Sequence, residues 1–259
     1  MKKIIKSVEP QCLTDYRAKY PKDDWKKGFS QNAGRDGISA VRNSLLKEQG
    51  GLCVYCEIDL KISEDANNDF RVEHFYPDKP EAKALRVGDV VNYSLHWDNL
   101  FGCCHGGSVS TVVDNEDRCN PPDYHCDIYK ANNDWTDFLL NPLVDIPSFP
   151  AVFTFNEDGN IFVNEELDDT LKDRAARTIE SLKLDSDTLN RLRKAVISKL
   201  NEELLEMQNE GGELDDSLVF LAETYLSKDE EGKYNSPFFS AVRWYLGPDA
   251  ETFLISVDY

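Results

Sequence analysis

The chain has 259 residues, enough for one large domain or two modest ones with a sizeable buried core. Hydrophobic residues make up 41% and charged residues 30%, ordinary globular values that exclude disordered and low-complexity classes. With 29 Lys+Arg against 48 Asp+Glu the net charge is −19, and a body that acidic repels nucleic acid and anionic membranes when alone. The imbalance is uneven, because residues 1 to 50 hold 11 basic and 6 acidic side chains.

The N-terminal MKKIIKSVEPQ has lysines but no apolar core of signal-peptide length, and no stretch approaches the roughly 20 apolar residues that span a bilayer. These features predict a cytoplasmic protein with no membrane association. Ile38, Val41 and Leu45 fall at helical spacing, and Gly50-Gly51 stops that helix just before Cys53. From 52 to 145 the chain is rich in Asn, Asp, Gly and Pro with short apolar pieces, which predicts a loop-rich module organised by a metal in place of a large apolar core. Residues 151 to 163 alternate as a hairpin turning at Asp158-Gly159.

Two amphipathic helices are predicted next. Leu167, Leu171, Ala175, Ile179 and Leu182 form one stripe, and Leu189, Leu192, Val196, Leu200, Leu204 and Met207 form the other. Ser186 or Asp187 caps the second, and Gly211-Gly212 ends it. Shorter helical pieces follow at 218–226 and 237–246. The division expected is a basic helical segment over 1–50, a metal-bearing module over 51–145, and a hairpin with helices over 146–259.

Six of the seven cysteines (Cys53, Cys56, Cys103, Cys104, Cys119, Cys126) and all four histidines (His74, His96, His105, His125) lie between residues 53 and 126. In a reducing compartment such clustering favours metal over disulfides. Cys53-x2-Cys56 has the spacing at which two thiolates grip one tetrahedral Zn²⁺, although a redox CxxC has the same letters. Four thiolates would leave no open coordination position, which makes that zinc structural. Between the cysteine groups lies Glu73-His74. An imidazole there is suited to take a proton from water and a carboxylate to hold a hard divalent cation, the pair that phosphodiester hydrolysis requires. The acidic run at 65–69 lacks the glycine and terminal glutamate of a calcium loop and is expected as a solvated turn.

Cys53-x2-Cys56, Glu73-His74, Asn99 and Cys126-Asp127-x2-Lys130 together resemble the zinc-stapled HNH (His-Me finger, ββα-metal) endonucleases. More closely, CVYCE at 53–57, VEHFYPD at 72–78, NLFGCCHGG at 99–107 and HCDIYK at 125–130 are similar to the HNH subunit (PtuB family) of Septu and Septu-like retron antiphage systems. EPQ at 9–11, LNPL at 140–143 and SLKLDSDTLNRLR at 181–193 extend the resemblance over most of the chain. It implies an α+β fold, with a zinc-stapled ββα-metal module embedded between an N-terminal helical segment and a mainly helical C-terminal part. It also implies a nuclease acting on nucleic-acid phosphodiester bonds. His74 matches the general base, Asn99 the residue that holds the loop and orients the imidazole, and Glu73 and Asp127 the ligands of a catalytic Mg²⁺ or Mn²⁺. Asp127 replaces the usual His or Asn. The zinc ligands implied are Cys53, Cys56, Cys104 and Cys126, with Cys103, Cys119, His105 or His125 as substitutes. Lys130 stands at a family position from which it touches phosphate or caps the helix end in solvent.

Residues 51 to 150 carry 7 basic and 18 acidic side chains, few cations for a nuclease that must neutralise phosphates. Substrate is therefore expected to be held largely by a partner, with the acidic tail (3 basic and 14 acidic side chains over 201–259) docking on a basic surface. The resemblance implies an SMC/ABC-type ATPase as that partner, with a retron reverse transcriptase and its DNA in some systems. The basic N-terminal segment is expected near phosphates. The competing reading is a zinc-stabilised interaction or adaptor module whose nuclease site has decayed.

Overall fold

The computed structural model describes residues 1–62, 68–77, 91–112 and 114–259. Helix α1 (Gln11–Lys19) packs on α2 (Gly34–Gln49), which buries Val41, Leu45 and Leu46 on one face. Gly50 ends α2 in the left-handed region, with φ of 64°, and Gly51 N–H returns to Leu46 O at 2.8 Å. Glycine is required at position 50 twice over, because a Cβ there would also lie 2.3 Å from the Tyr234 ring.

Strand β1 (Arg71–His74) pairs antiparallel with β2 (Leu100–Cys103), setting Arg71 opposite Cys103 and His74 opposite Leu100. Gln49 clamps the far edge of β2: its Oε1 accepts from Gly102 N–H at 2.6 Å and its Nε2 donates to Gly102 O at 2.8 Å. A short helix, α3 (Cys126–Lys130), follows the loop after β2. The expected hairpin is β3 (Phe153–Phe155) and β4 (Ile161–Val163), with Gly159 at φ of 78° in its turn.

The rest is helical. In α4 (Asp169–Leu182) the first turn is capped by Asp168, whose side chain accepts from Leu171 N–H. In α5 (Asp187–Asn209) the cap is Ser186, which accepts from Leu189 N–H, and Gly212 N–H closes the far end on Met207 O. Helix α6 (Leu214–Leu226) packs extensively on α7 (Phe239–Ser256). Helix α7 runs ten residues beyond the expected 237–246 piece, because Gly247 breaks it with φ of 56° and Pro248 starts a second helical stretch in line.

One buried apolar cluster runs from Met1 and Leu13 through Tyr55, Leu100 and Phe101 to Leu139, Phe153, Leu189 and Ala241. A second lies among the C-terminal helices and contains Leu200, Leu221, Val242 and Leu254. The loop-rich centre thus contributes substantially to an apolar core, contrary to the expectation that metal would replace one. Its apolar residues come from separate loops, so no periodicity announces them. The acidic run also differs from expectation. Residues 65–67 lie outside the described residues, while Asp69 is buried and accepts from His105 N–H at 2.6 Å and Arg118 Nη1 at 3.0 Å. Among the described residues no helix is long and apolar enough to cross a membrane.

Candidate active site and metal centre

Three segments deliver four thiols to one point. Cys53 and Cys56 sit in a tight turn closed by Cys53 N–H to Ile58 O (2.8 Å) and Glu57 N–H to Cys53 O (3.0 Å), with Glu57 at φ of 66°. Val54 N–H to Gly102 O (3.0 Å) ties that turn to β2, at whose end stands Cys104. Cys126 opens α3 with φ of 55°. The Sγ atoms of Cys53, Cys56, Cys104 and Cys126 all lie within 4.8 Å of one another, and all four residues are buried. A tetrahedral Zn–S bond of ~2.3 Å implies S···S separations near 3.8 Å. Cys56 and Cys104 are 3.7 Å apart. Burial pushes the Cys56 and Cys126 thiols well above their ordinary range. It acts the same way on Cys53, but hydrogen bonds from Cys103 and the other thiols outweigh it and hold that group well below. Only a cation lets all four ionise together, so the donor set fits a thiophilic metal such as zinc.

The four alternative ligands are placed differently. Cys103 Sγ lies 3.6 Å from Cys53 Sγ, and His125 Nε2 lies 3.8 Å from Cys104 Sγ. His105 is engaged by Asp69, and Cys119 is half-buried outside the cluster.

Next to the thiols, β1 and α3 form one wall of a cavity of about 740 Å³ that Glu73, His74 and Asp127 line together. Glu73 Oε1 accepts from Tyr55 Oη at 2.9 Å and Lys130 Nζ at 2.7 Å. Burial opposes its charge, yet Lys130 holds the Glu73 carboxyl below the usual carboxylate range. Asp127 is the opposite case: burial and then the neighbouring Glu73 charge push it up to about 8, against the pull of Arg71. Arg71 Nε approaches Asp127 Oδ2 to 2.6 Å as an ion pair, but its N–H is not aimed at the oxygen, and that buried Oδ2 takes no hydrogen bond among the described residues. Two adjacent buried carboxylates, one with an unsatisfied oxygen, are a donor set that fits a divalent cation.

His74 is oriented by its backbone neighbours. Its Nε2 lies 3.0 Å from Ser94 O, a carbonyl that only accepts, so in the neutral ring the proton is assigned to Nε2 and the lone pair to Nδ1. Ser94 Oγ in turn accepts from Trp25 N–H at 2.6 Å, fastening the N-terminal segment to the site. Asn99 is buried and holds the loop beyond β1. Its Oδ1 accepts from Tyr76 N–H at 2.7 Å, and its Nδ2 donates to Tyr76 O at 2.9 Å and Tyr93 O at 2.8 Å. The Tyr93 ring packs tilted against that of Tyr76, with centroids 4.8 Å apart, and so supports this loop.

Lys130 neither reaches toward phosphate nor caps a helix in solvent. It is 1% exposed and bridges Glu73 to His74 O at 2.9 Å. Its position three residues after Asp127 on a one-turn helix was the available signal, since that spacing puts both on the Glu73 side. Tyr55, Arg71 and Ser94 carried no comparable signal. Lys26 and Arg42, from the basic segment, line the same cavity, and Arg42 Nε is buried there with no hydrogen-bond partner among the described residues. Lys2 and Lys6 of that segment are instead buried elsewhere, on a second cavity.

Thiol cluster and carboxylate–imidazole cleft define a metal-binding module of α+β type, and they are the features expected of a nuclease. No family model matches the chain. Over 221 residues it is 29% identical to the Escherichia coli protein named "Retron Ec83 putative HNH endonuclease", a match that covers 78% of this chain and 81% of that protein. That similarity supports an endonuclease of the HNH type associated with a retron.

Proposed function

We propose that this chain is a metal-dependent HNH endonuclease that hydrolyses nucleic-acid phosphodiester bonds. Its setting is a cytoplasmic antiphage complex of the Septu-like retron kind, with an SMC/ABC-type ATPase and retron DNA as partners. The observation that carries the reading is the convergence of His74, Glu73 and Asp127, from an antiparallel strand pair and the helix after it, on one cavity beside four thiols. That order corresponds to a ββα-metal module within residues 51–145, stapled by zinc on Cys53, Cys56, Cys104 and Cys126.

Glu73 and Asp127 would hold Mg²⁺ or Mn²⁺, which supplies stabilisation of the charge that builds on the phosphate. His74, held through Nε2 by Ser94 O, takes a proton from the attacking water at Nδ1. Asn99 is a positioning residue, fixing the loop that carries the imidazole. Lys26, Arg42 and Arg71 offer cations along the cavity to the substrate's phosphates. With so few, the acidic tail engages a basic partner that holds the rest of the substrate.

One observation favours the alternative, a zinc-stabilised adaptor with a silent site. The Glu73–Lys130 pair is a buried ion pair that already neutralises one metal ligand. A cleavage assay on the chain with its partner complex, in Mg²⁺ or Mn²⁺, separates the two readings. The nuclease reading expects cleavage that His74→Ala abolishes with zinc content unchanged. Cleavage that persists in His74→Ala, or no cleavage by the wild-type complex, overturns it.

A further inference from the structure

A second cavity, of about 730 Å³, shares no lining residue with the carboxylate cleft and lies between residues 2–7, the end of α2 and the C-terminal end of α7. Among the described residues five lysines line it, Lys2, Lys3, Lys6, Lys47 and Lys228, against two side-chain carboxylates, Glu48 and Asp258, in a chain whose net charge is −19. Glu48 is already occupied: it accepts from Ser7 N–H at 2.7 Å and Ser7 Oγ at 2.6 Å, and pairs with Lys6 at 3.2 Å. Lys6 Nζ is satisfied further by Leu100 O at 2.6 Å, and Lys3 Nζ reaches Ser148 Oγ at 3.4 Å.

Lys2 and Lys228 are different. Each places Nζ 5.0 Å from the centroid of the same Tyr234 ring. Lys2 is only 5% exposed and makes no hydrogen bond or ion pair among the described residues. A cation–π contact contributes roughly 0.5 to 2 kcal/mol, less than a buried ammonium loses by leaving water. Lys2 is thus a buried ammonium with no anion in contact among the described residues, and the exposed Lys228 faces the same ring. Burial, and after it the facing Lys228, brings Lys2 down to about 7; Glu57, already engaged by the Met1 ammonium and Ser240, pulls the other way by less.

Apolar side chains line the cavity as well, among them Ile5 and Val257, 72% and 54% exposed. The volume falls within the ~300–1,000 Å³ of small-molecule sites. We propose that this cavity binds a small phosphorylated ligand of nucleotide size, with its phosphate between the Lys2 and Lys228 ammonium groups and its organic part against Ile5 and Val257. The site is independent of the nuclease reading and uses none of its residues.

The test is calorimetric titration of the full chain with pyrophosphate, adenosine 5′-monophosphate and adenosine, with melting curves to verify folding. Both phosphates bind and uncharged adenosine does not. Lys2→Met and Lys228→Gln each weaken binding by about tenfold or more, the worth of one charge-assisted contact. Lys194→Gln, at an exposed lysine that lines neither cavity, leaves it unchanged. Tighter binding of the monophosphate than of pyrophosphate supports a nucleotide-sized occupant, and the reverse order, the mark of an inorganic phosphate, overturns the placing of an organic part against Ile5 and Val257. If Lys2→Met fails to fold, the exposed Lys228 supplies the variant that decides. Absence of heat with both phosphates, or affinity unchanged by Lys228→Gln, overturns the proposal.

Discussion

Between residues 52 and 130 the described residues form few regular elements, yet they bury thiols, carboxylates, an ammonium and an imidazole beside aromatic side chains. Between 187 and 256 it is mostly helix and buries leucine, valine and alanine. The helical region is held by non-directional apolar contact, which tolerates change in proportion to the volume removed. The central region is held by directed polar bonds and a shared donor set, which fail together when one member is lost. The proposed chemistry belongs to the second kind of region, because only directed bonds hold an imidazole and two carboxylates at fixed separations.

The sharpest contrast is expected from the thiols. Cys126→Ser should abolish stoichiometric zinc by elemental analysis and destabilise the centre severely, since structural zinc contributes on the order of 10 kcal/mol to folding of its site. A strong chelator should do the same to the wild type. A variant that lacks zinc and still melts like the wild type would dissolve the distinction between the two regions.

Removing the proposed general base tests function without stability. His74→Ala should lower the cleavage rate by about 10²- to 10⁴-fold while the melting temperature stays close to that of the wild type. In the helical region the expected pattern is reversed. Leu200→Ala, at a fully buried position of α5, should cost about 2–5 kcal/mol by denaturant titration and leave zinc content unchanged.

The smallest expected effect is a pH limb. Burial opposes the charge of Asp69, but its bonds from His105 and Arg118 outweigh burial and hold the carboxyl below its ordinary value. A depressed native pKa gives stability that is complete above the unfolded value of about 3.9 and is lost as pH falls through the native one. Wild-type stability should therefore fall on acidification below about pH 4, and Asp69→Asn should flatten that slope. An unchanged slope would place the acid sensitivity elsewhere.

The two regions were unequally legible. The hairpin at 151–163 and the helices of the tail follow from periodicity and capping, which are local, and Ser186 and Gly212 stand where the spacing put them. In the centre, Cys53 and Cys56 are legible because the turn that joins them is four residues long. Cys104 and its neighbour Cys103 differ by one position, and only the path of β2 puts one Sγ within the four-thiol group and the other 3.6 Å from Cys53. Lys130 was misread because a lysine near a helix end is ordinarily solvated, and nothing local reveals that Glu73 lies 2.7 Å from its Nζ.

The sequence by itself determined the acidic balance, the positive N-terminal segment, the helical tail and the chemistry available between residues 53 and 127. Those properties depend on composition or on spacings of a few residues. Tertiary structure decided which groups meet: Arg71 with Asp127, Tyr55 and Lys130 with Glu73, and Ser94 with His74. It also divided the basic segment, sending Lys26 and Arg42 to the carboxylate cleft and Lys2 and Lys6 to the opposite cavity. The reason is physical. A buried charge must find its partner within a few ångströms in space, and that partner lies up to dozens of residues away in sequence, where no local pattern marks it.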